Sequence, residues 1–138
     1  VMVFEGAVLD AVAEGGRTFG LYKAGQDCTA ACRIYSQRGI YEALVEKLGN
    51  AVSSLKMGAP EDESTELGPL SSLANLKRVT AAVEEAKALS HIRVITGGSQ
   101  TEGKAYYFCP TLLADAKEED AIVQSEVFGA VVSITLWF

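Results

Sequence analysis

Two hydrophobic periodicities take turns along this chain, and their alternation restricts the fold more than any other feature of the sequence. Short, nearly continuous apolar runs suit strands covered on both faces, whereas apolar residues recurring every three or four positions mark one face of a helix. Val1-Met2-Val3-Phe4 is the first such run, and Val8, Ala11, Val12 and Phe19 follow at helical spacing. Gly15 and Gly16 weaken that helix by about 1 kcal/mol each relative to Ala. Ile34 to Gln37 reads as a short strand, and Ile40, Leu44, Leu48, Val52 and Leu55 line one face of a strong helix. Gly58, Pro60 and the acidic stretch Glu61 to Glu66 form a solvated loop. Ser71 or Ser72 then caps a helix whose apolar face is Leu73, Leu76, Val79, Val83 and Ala86. Ile92 to Thr96 is a strand ended by Gly97-Gly98, and Tyr106 to Leu113 is extended but broken by Pro110. Ala114 to Ala121 is polar and partly helical, and Val131 to Leu136 is the last strand. Such an alternation predicts an α/β fold, a mainly parallel sheet with flanking helices, with no internal repeat and no dividing linker.

A chain of 138 residues is enough for one domain with a sizeable core. Its 49% apolar and 22% charged residues are ordinary for a folded domain and exclude disordered and low-complexity classes. The formal net charge of −6 disfavours nucleic acid and anionic membrane surfaces as partners. No apolar run reaches the length of a spanning helix and no signal peptide precedes the first strand, so a cytoplasmic protein is expected. The three cysteines are expected as free thiols. Natural domains seldom begin and end inside apolar strands, which predicts that the sequence is a piece of a larger protein whose end strands lack their neighbours.

The segment Ala24-Gly25-Gln26-Asp27-Cys28-Thr29-Ala30-Ala31-Cys32-Arg33 carries the clearest chemistry. A thiol just after a backbone-opening Gly, at the entry to a strand, can be presented in a cleft as a nucleophile with amide N–H groups beside it. A buried structural thiol accounts for Cys28 equally well. Cys28 and Cys32 form C-x-x-x-C, but Cys109 and His91 are the only other soft ligands and no second close pair exists, so no metal site is expected. His91 is the only imidazole available for a Cys28/His91 dyad, and a solvated turn residue between helix and strand is the preferred reading. Gly97-Gly98 with Gly103 lacks the order of a phosphate loop. In Gln124-Ser125-Glu126-Val127-Phe128-Gly129, Glu126 can accept from hydroxyls and Phe128 can pack on a flat ring, although a solvated acid beside a core aromatic explains the pair too.

Gly25-Gln26-Asp27-Cys28 with Arg33-Ile34-Tyr35, Leu67-Gly68-Pro69-Leu70, Thr96-Gly97-Gly98, Pro110-Thr111-Leu112-Leu113 and Glu126-Val127-Phe128-Gly129 follow in order along the chain. In that order and spacing they resemble the aldehyde dehydrogenase superfamily over essentially the whole sequence. Gly25 to Tyr35 and Ser64 to Ser72 are most similar to the gamma-aminobutyraldehyde dehydrogenases, close to the betaine-aldehyde group. The resemblance implies NAD- or NADP-dependent oxidation of an aldehyde, here an aminoaldehyde, to a carboxylic acid. It places Cys28 on the nucleophile that forms a thiohemiacetal and then a thioester. Glu126 falls on the carboxylate that binds the nicotinamide ribose, and Phe128 on its neighbour near the nicotinamide. Cys32 and Cys109 match no catalytic position. Lys23 stands where the family usually has Asn, and Ala130 where Pro usually follows Glu-Val-Phe-Gly.

The family's dinucleotide-binding half, oxyanion-hole Asn and general-base Glu fall in sequence before the part that resembles Val1. The resemblance therefore implies that residues 1–138 are a partial catalytic domain with no dinucleotide-binding domain. The complete enzyme would be a homo-oligomer, and this chain by itself inactive. The alternative is a non-catalytic remnant or scaffold that has lost the reaction.

Overall fold

The computed structural model describes residues 1–103 and 105–138. Its strands are β1 (Met2–Val3), β2 (Arg33–Gln37), β3 (Arg93–Thr96), β4 (Thr111–Ala114) and β5 (Val131–Trp137). Its helices are α1 (Leu9–Gly20), α2 (Tyr41–Ser53), α3 (Leu73–Lys87) and the single turn α4 (Ala121–Gln124), with 3-10 turns at Tyr22–Gly25 and Arg38–Ile40. The strands form one sheet in the order β1-β2-β5-β4-β3. β1 with β2, β2 with β5 and β4 with β5 are parallel, and only β3 runs antiparallel, on β4. This is the mainly parallel α/β sheet expected from the alternating periodicities.

α2 presents Leu44, Leu48 and Val52, all fully buried, and packs on β2, β3 and β4. α1 lies beside α2. Gly16 permits that closeness, since a Cβ there would sit 2.8 Å from Leu48 Cδ1 and 3.4 Å from Ile34 Cδ1. The helix weakness expected at Gly16 is thus offset by packing, whereas nothing lies near Gly15. Burying a leucine or valine side chain contributes about 1.5–3 kcal/mol, so the α2 face anchors the layer.

Four expectations change. The helix α1 forms, but of Val8, Ala11, Val12 and Phe19 only Val12 is partly buried, Val8 and Phe19 being 71% and 66% exposed, and the face that packs is Ala13, Gly16 and Gly20. The last apolar run was expected to lack neighbours, yet β5 is interior to the sheet, paired by β2 on one side and β4 on the other, and buried from Val131 to Thr135. The sheet's edges are β1 and β3, and of the two terminal runs only the first lies at an edge, with Val1, Met2 and Phe4 each more than half exposed. Leu73 does not join the apolar face of α3 but is 47% exposed, because it occupies the first helical position, ahead of the turns that reach the core. Ala114 to Ala121 is mostly not helical: the buried Asp120 carboxylate accepts from the Lys117 N–H at 2.8 Å and closes a turn, and the helix begins only at Ala121.

Candidate functional site

The approach to Cys28 is built from left-handed backbone. Lys23 (φ 49°), Ala24 (φ 57°) and Gly25 (φ 69°) reverse the chain after α1. At Gly25 a side chain is excluded twice over, by its positive φ and because a Cβ would overlap the carbonyl oxygen of Gly129. Lys23 holds a left-handed conformation that Asn, the residue the resemblance implies there, tolerates far better than Lys. The Lys23 carbonyl accepts from Gln26 N at 3.2 Å and from Gln26 Nε2 at 2.9 Å, which closes the turn.

Cys28 sits at the next bend. Ala30 N–H donates to the Asp27 carbonyl at 3.1 Å, and both Thr29 N–H and Thr29 Oγ1 donate to Asp27 Oδ1 at 2.8 Å. The two Thr29 hydrogen bonds, that from its N–H above all, hold the Asp27 carboxyl below the usual carboxylate range. The bend leaves Cys28 exposed and Cys32, at the entry to β2, half-buried.

Glu126 and Phe128 approach from the turn before β5. Phe128 takes φ 51°, which is uncommon for a bulky residue and costs about 1–3 kcal/mol unless its surroundings hold it. Two helix α3 side chains do so. Asn75 Nδ2 donates to the Phe128 carbonyl at 3.3 Å, and Arg78 Nη1 donates to the Glu126 carbonyl at 3.1 Å. Neither residue carries a distinctive signal in sequence, where they are only a polar pair one helical turn apart. Gly129 meets Val79 so closely that a Cβ would overlap that side chain.

The two segments meet. Cys28, Cys32, Arg33, Glu126 and Phe128 line one cleft of about 350 Å³ at the amino ends of β2 and β5. Glu126 is exposed along this cleft, and Phe128 is 36% exposed, so a carboxylate and an aromatic face are both available beside the thiol. A carboxylate that can accept from ribose hydroxyls and a ring face that can pack on a nicotinamide fit the reactive end of a nicotinamide dinucleotide.

His91 is elsewhere. Its Nε2 pairs with Asp120 Oδ2 at 2.8 Å, in a separate cleft with Tyr35, Asp115 and Trp137. No Cys28/His91 dyad forms, since His91 follows α3 on the β3 side of the sheet while Cys28 precedes β2. Cys109 is half-buried, its N–H bonded to the Ser99 carbonyl at 2.9 Å. Among the described residues, no cluster of three or more His, Cys, Asp and Glu is arranged to hold a metal. Among them, too, no helix is long and apolar enough to cross a membrane.

A sequence model described as "Aldehyde dehydrogenase family" matches residues 1–137. The chain is 34% identical over 136 residues to the betaine aldehyde dehydrogenase of Rhizobium etli, covering 97% of this chain and 28% of that protein. It is 42% identical over 113 residues to the lactaldehyde dehydrogenase of Escherichia coli, covering 80% of this chain and 23% of that one. The crystal structure of lactaldehyde dehydrogenase from Escherichia coli superposes with a TM-score of 0.94 at 36% identity, over 99% of this chain and 28% of that chain. An NAD+ complex of aldehyde dehydrogenase from Bacillus cereus gives 0.92 at 32% identity, with the same coverages of 99% and 28%. The chain thus spans about a quarter of the length of these relatives, 28% of the first and 23% of the second.

Proposed function

Because the chain belongs to the aldehyde dehydrogenase family, we propose that residues 1–138 are part of the catalytic domain of an NAD- or NADP-dependent aldehyde dehydrogenase, with Cys28 as its nucleophile. The observation that carries this reading is the convergence of Cys28, Glu126 and Phe128, remote in sequence, on one cleft. The non-catalytic alternative gives no reason for an exposed thiol to share a cleft with a carboxylate and an aromatic ring.

In this reading the Cys28 thiolate attacks the aldehyde carbon, forming a C–S bond while the carbonyl π pair moves to oxygen. The Cys28 N–H, which has no acceptor among the described residues, is free to help hold the resulting oxyanion. A nicotinamide dinucleotide held by Glu126 at the ribose and Phe128 at the ring supplies, when bound, the acceptor for the hydride released as the alkoxide on Cys28 collapses to a thioester. Water then hydrolyses the thioester to a carboxylic acid and restores the Cys28 thiol. The substrate class, an aminoaldehyde, rests on the resemblance of Gly25–Tyr35 and Ser64–Ser72 and on the betaine aldehyde dehydrogenases among the relatives. Residues 1–138 contain no dinucleotide-binding domain in this reading, and the complete enzyme is a cytoplasmic homo-oligomer. The 138-residue chain alone turns over no aldehyde, because general-base assistance is worth about 10²–10⁴-fold and most of the cofactor's contacts lie outside this cleft.

Iodoacetamide labelling with peptide mapping at neutral pH tests the nucleophile. Cys28 is modified before Cys32 and Cys109, and an added aminoaldehyde slows labelling of Cys28 alone by reversible thiohemiacetal formation. Faster labelling of Cys32 or Cys109, or no protection of Cys28, overturns the assignment. Steady reduction of NAD by the chain, abolished in Cys28→Ala, overturns its expected inactivity.

A further inference from the structure

One hydrogen-bonded chain runs from the Cys28 loop, through the start of α3, to the Glu126–Phe128 turn. Gln26 Oε1 accepts from Ser71 N at 2.8 Å and from Asn75 Nδ2 at 3.1 Å, while Gln26 Nε2 holds the Lys23 carbonyl at 2.9 Å. Asn75 turns the same amide toward the other side, where Nδ2 also reaches the Phe128 carbonyl at 3.3 Å. Asn75 Oδ1 accepts from Arg78 Nη2 at 2.6 Å, which fixes the orientation of the amide. Arg78 reaches the Glu126 carbonyl at 3.1 Å and the Phe128 carbonyl at 3.5 Å. Asn75 is therefore the junction that touches both loops, and Arg78 the brace on one of them.

We infer that Asn75 and Arg78 are positioning residues that hold the Glu126–Phe128 turn in register with the Cys28 loop and so set the width of the cleft. The inference rests on the reading of Cys28, Glu126 and Phe128 as parts of one site. Its physical basis is the cost of the Phe128 conformation. A left-handed Phe relaxes toward φ < 0 when its carbonyl is released, and that relaxation swings both Glu126 and Phe128 away from the thiol. Hydrogen bonds from a guanidinium are about twice as strong as neutral ones and suit this restraint. Arg78 acts through backbone carbonyls and needs no contact with substrate. The turn on the other side is restrained through Gln26, which also depends on Asn75.

Limited proteolysis reads each loop separately, because cutting tracks the population of the opened segment. Chymotrypsin cutting after Phe128 is compared with cutting after the exposed Phe4, and trypsin cutting after Lys23 with cutting after the exposed Arg38. Arg78→Ala raises the Phe128 ratio by about tenfold, the effect of losing a charge-assisted hydrogen bond, and changes the Lys23 ratio less than Asn75→Ala does, because Arg78 reaches that loop only through the Asn75 amide. Asn75→Ala raises both ratios, each by about threefold or more. Arg78→Lys, which retains a cationic donor, restores most of the Phe128 protection, and a purely structural helix residue would not show that rescue. An unchanged Phe128 ratio in Arg78→Ala, or an Asn75→Ala effect on one loop only, overturns the inference. Thermal unfolding accompanies each variant, so an equal rise at every site, with a lowered midpoint, also overturns it. Protection of Cys28 from iodoacetamide by an aminoaldehyde, measured on the unaltered chain, is decided independently. Its absence with the expected proteolysis removes the catalytic reading and leaves the coupling of the loops in place.

Discussion

At the scale of single residues, the site depends on backbone conformations that side chains ordinarily avoid. Gly25 lies in the left-handed region and against Gly129, where the Cys28 loop and the Glu126–Phe128 turn touch through backbone alone. A Gly25→Ala variant has no conformation that keeps both the turn and the contact. It is expected to lose at least about 2 kcal/mol of stability, the strain of a non-Gly residue at positive φ plus the forced separation of the two loops. Urea unfolding followed by circular dichroism measures it, and an unchanged midpoint would show that the loops do not need this contact. Gly15, where a Cβ meets nothing, provides the matched control: Gly15→Ala is expected to stabilise the chain through helix propensity.

Among the elements, α3 does the most for the site while contributing no residue to the lining of the Cys28 cleft. Its first turn is capped by Ser72, whose hydroxyl accepts from Asn75 N–H at 3.1 Å. The same cap fixes the backbone of Asn75, the junction of the two loops. Below it, Leu76, Val79 and Val83 are buried, and Val79 seats Gly129. Replacement of the capping hydroxyl in Ser72→Ala is expected to cost about 1 kcal/mol. Chemical denaturation gives that number directly. Chymotrypsin cutting after Phe128 should rise in the same variant under native conditions, and a stability loss without added cutting would show that the cap serves α3 alone.

For the whole molecule, acidic groups dominate, and several are held ionised by the fold. Burial pushes the Asp115 carboxyl upward, but hydrogen bonds from Arg93 and Tyr41 and the charges of Arg93 and His91 outweigh it and leave Asp115 below the usual range. The balance is the same at Asp120, where burial is opposed by the Lys117 N–H and by His91. Glu66 is lowered by the Lys56 N–H and by Arg17, which ties the loop after α2 to α1. Asp27 and Asp62 are lowered by local turn hydrogen bonds. A carboxyl with a depressed folded value adds stability that is complete above its unfolded value, near 4, and is lost as pH falls through the folded one. Stability should therefore be level from about pH 7 to about pH 5 and fall steeply below about pH 4. Urea midpoints across that range test the sign, and Arg93→Met should flatten the fall because Asp115 then loses the guanidinium's hydrogen bond and charge.

Much of this organisation is legible in local sequence because it depends on neighbours along the chain. The helical spacing of Leu44, Leu48 and Val52 and the capping position of Ser72 depend on residues within a turn or two, so the bodies of α2 and α3 are legible in sequence, while at their ends Ile40 and Leu55 lie outside α2 and Leu73 is exposed. The nearly continuous apolar character of Val131 to Leu136 likewise identified a buried strand. Which strands would pair was not written locally: β5 lies between β4, the strand before it, and β2, remote from it in sequence, because a parallel sheet is joined by crossovers rather than hairpins. The same physics governs the site. Cys28, Glu126 and Phe128 carry their chemistry as residue types, and the order of their motifs resembles a known family. Their meeting in one cleft, the separation of His91 from Cys28, and the bracing by Asn75 and Arg78 required the tertiary fold, because hydrogen bonds to remote backbone carbonyls leave no periodic trace in the sequence that makes them.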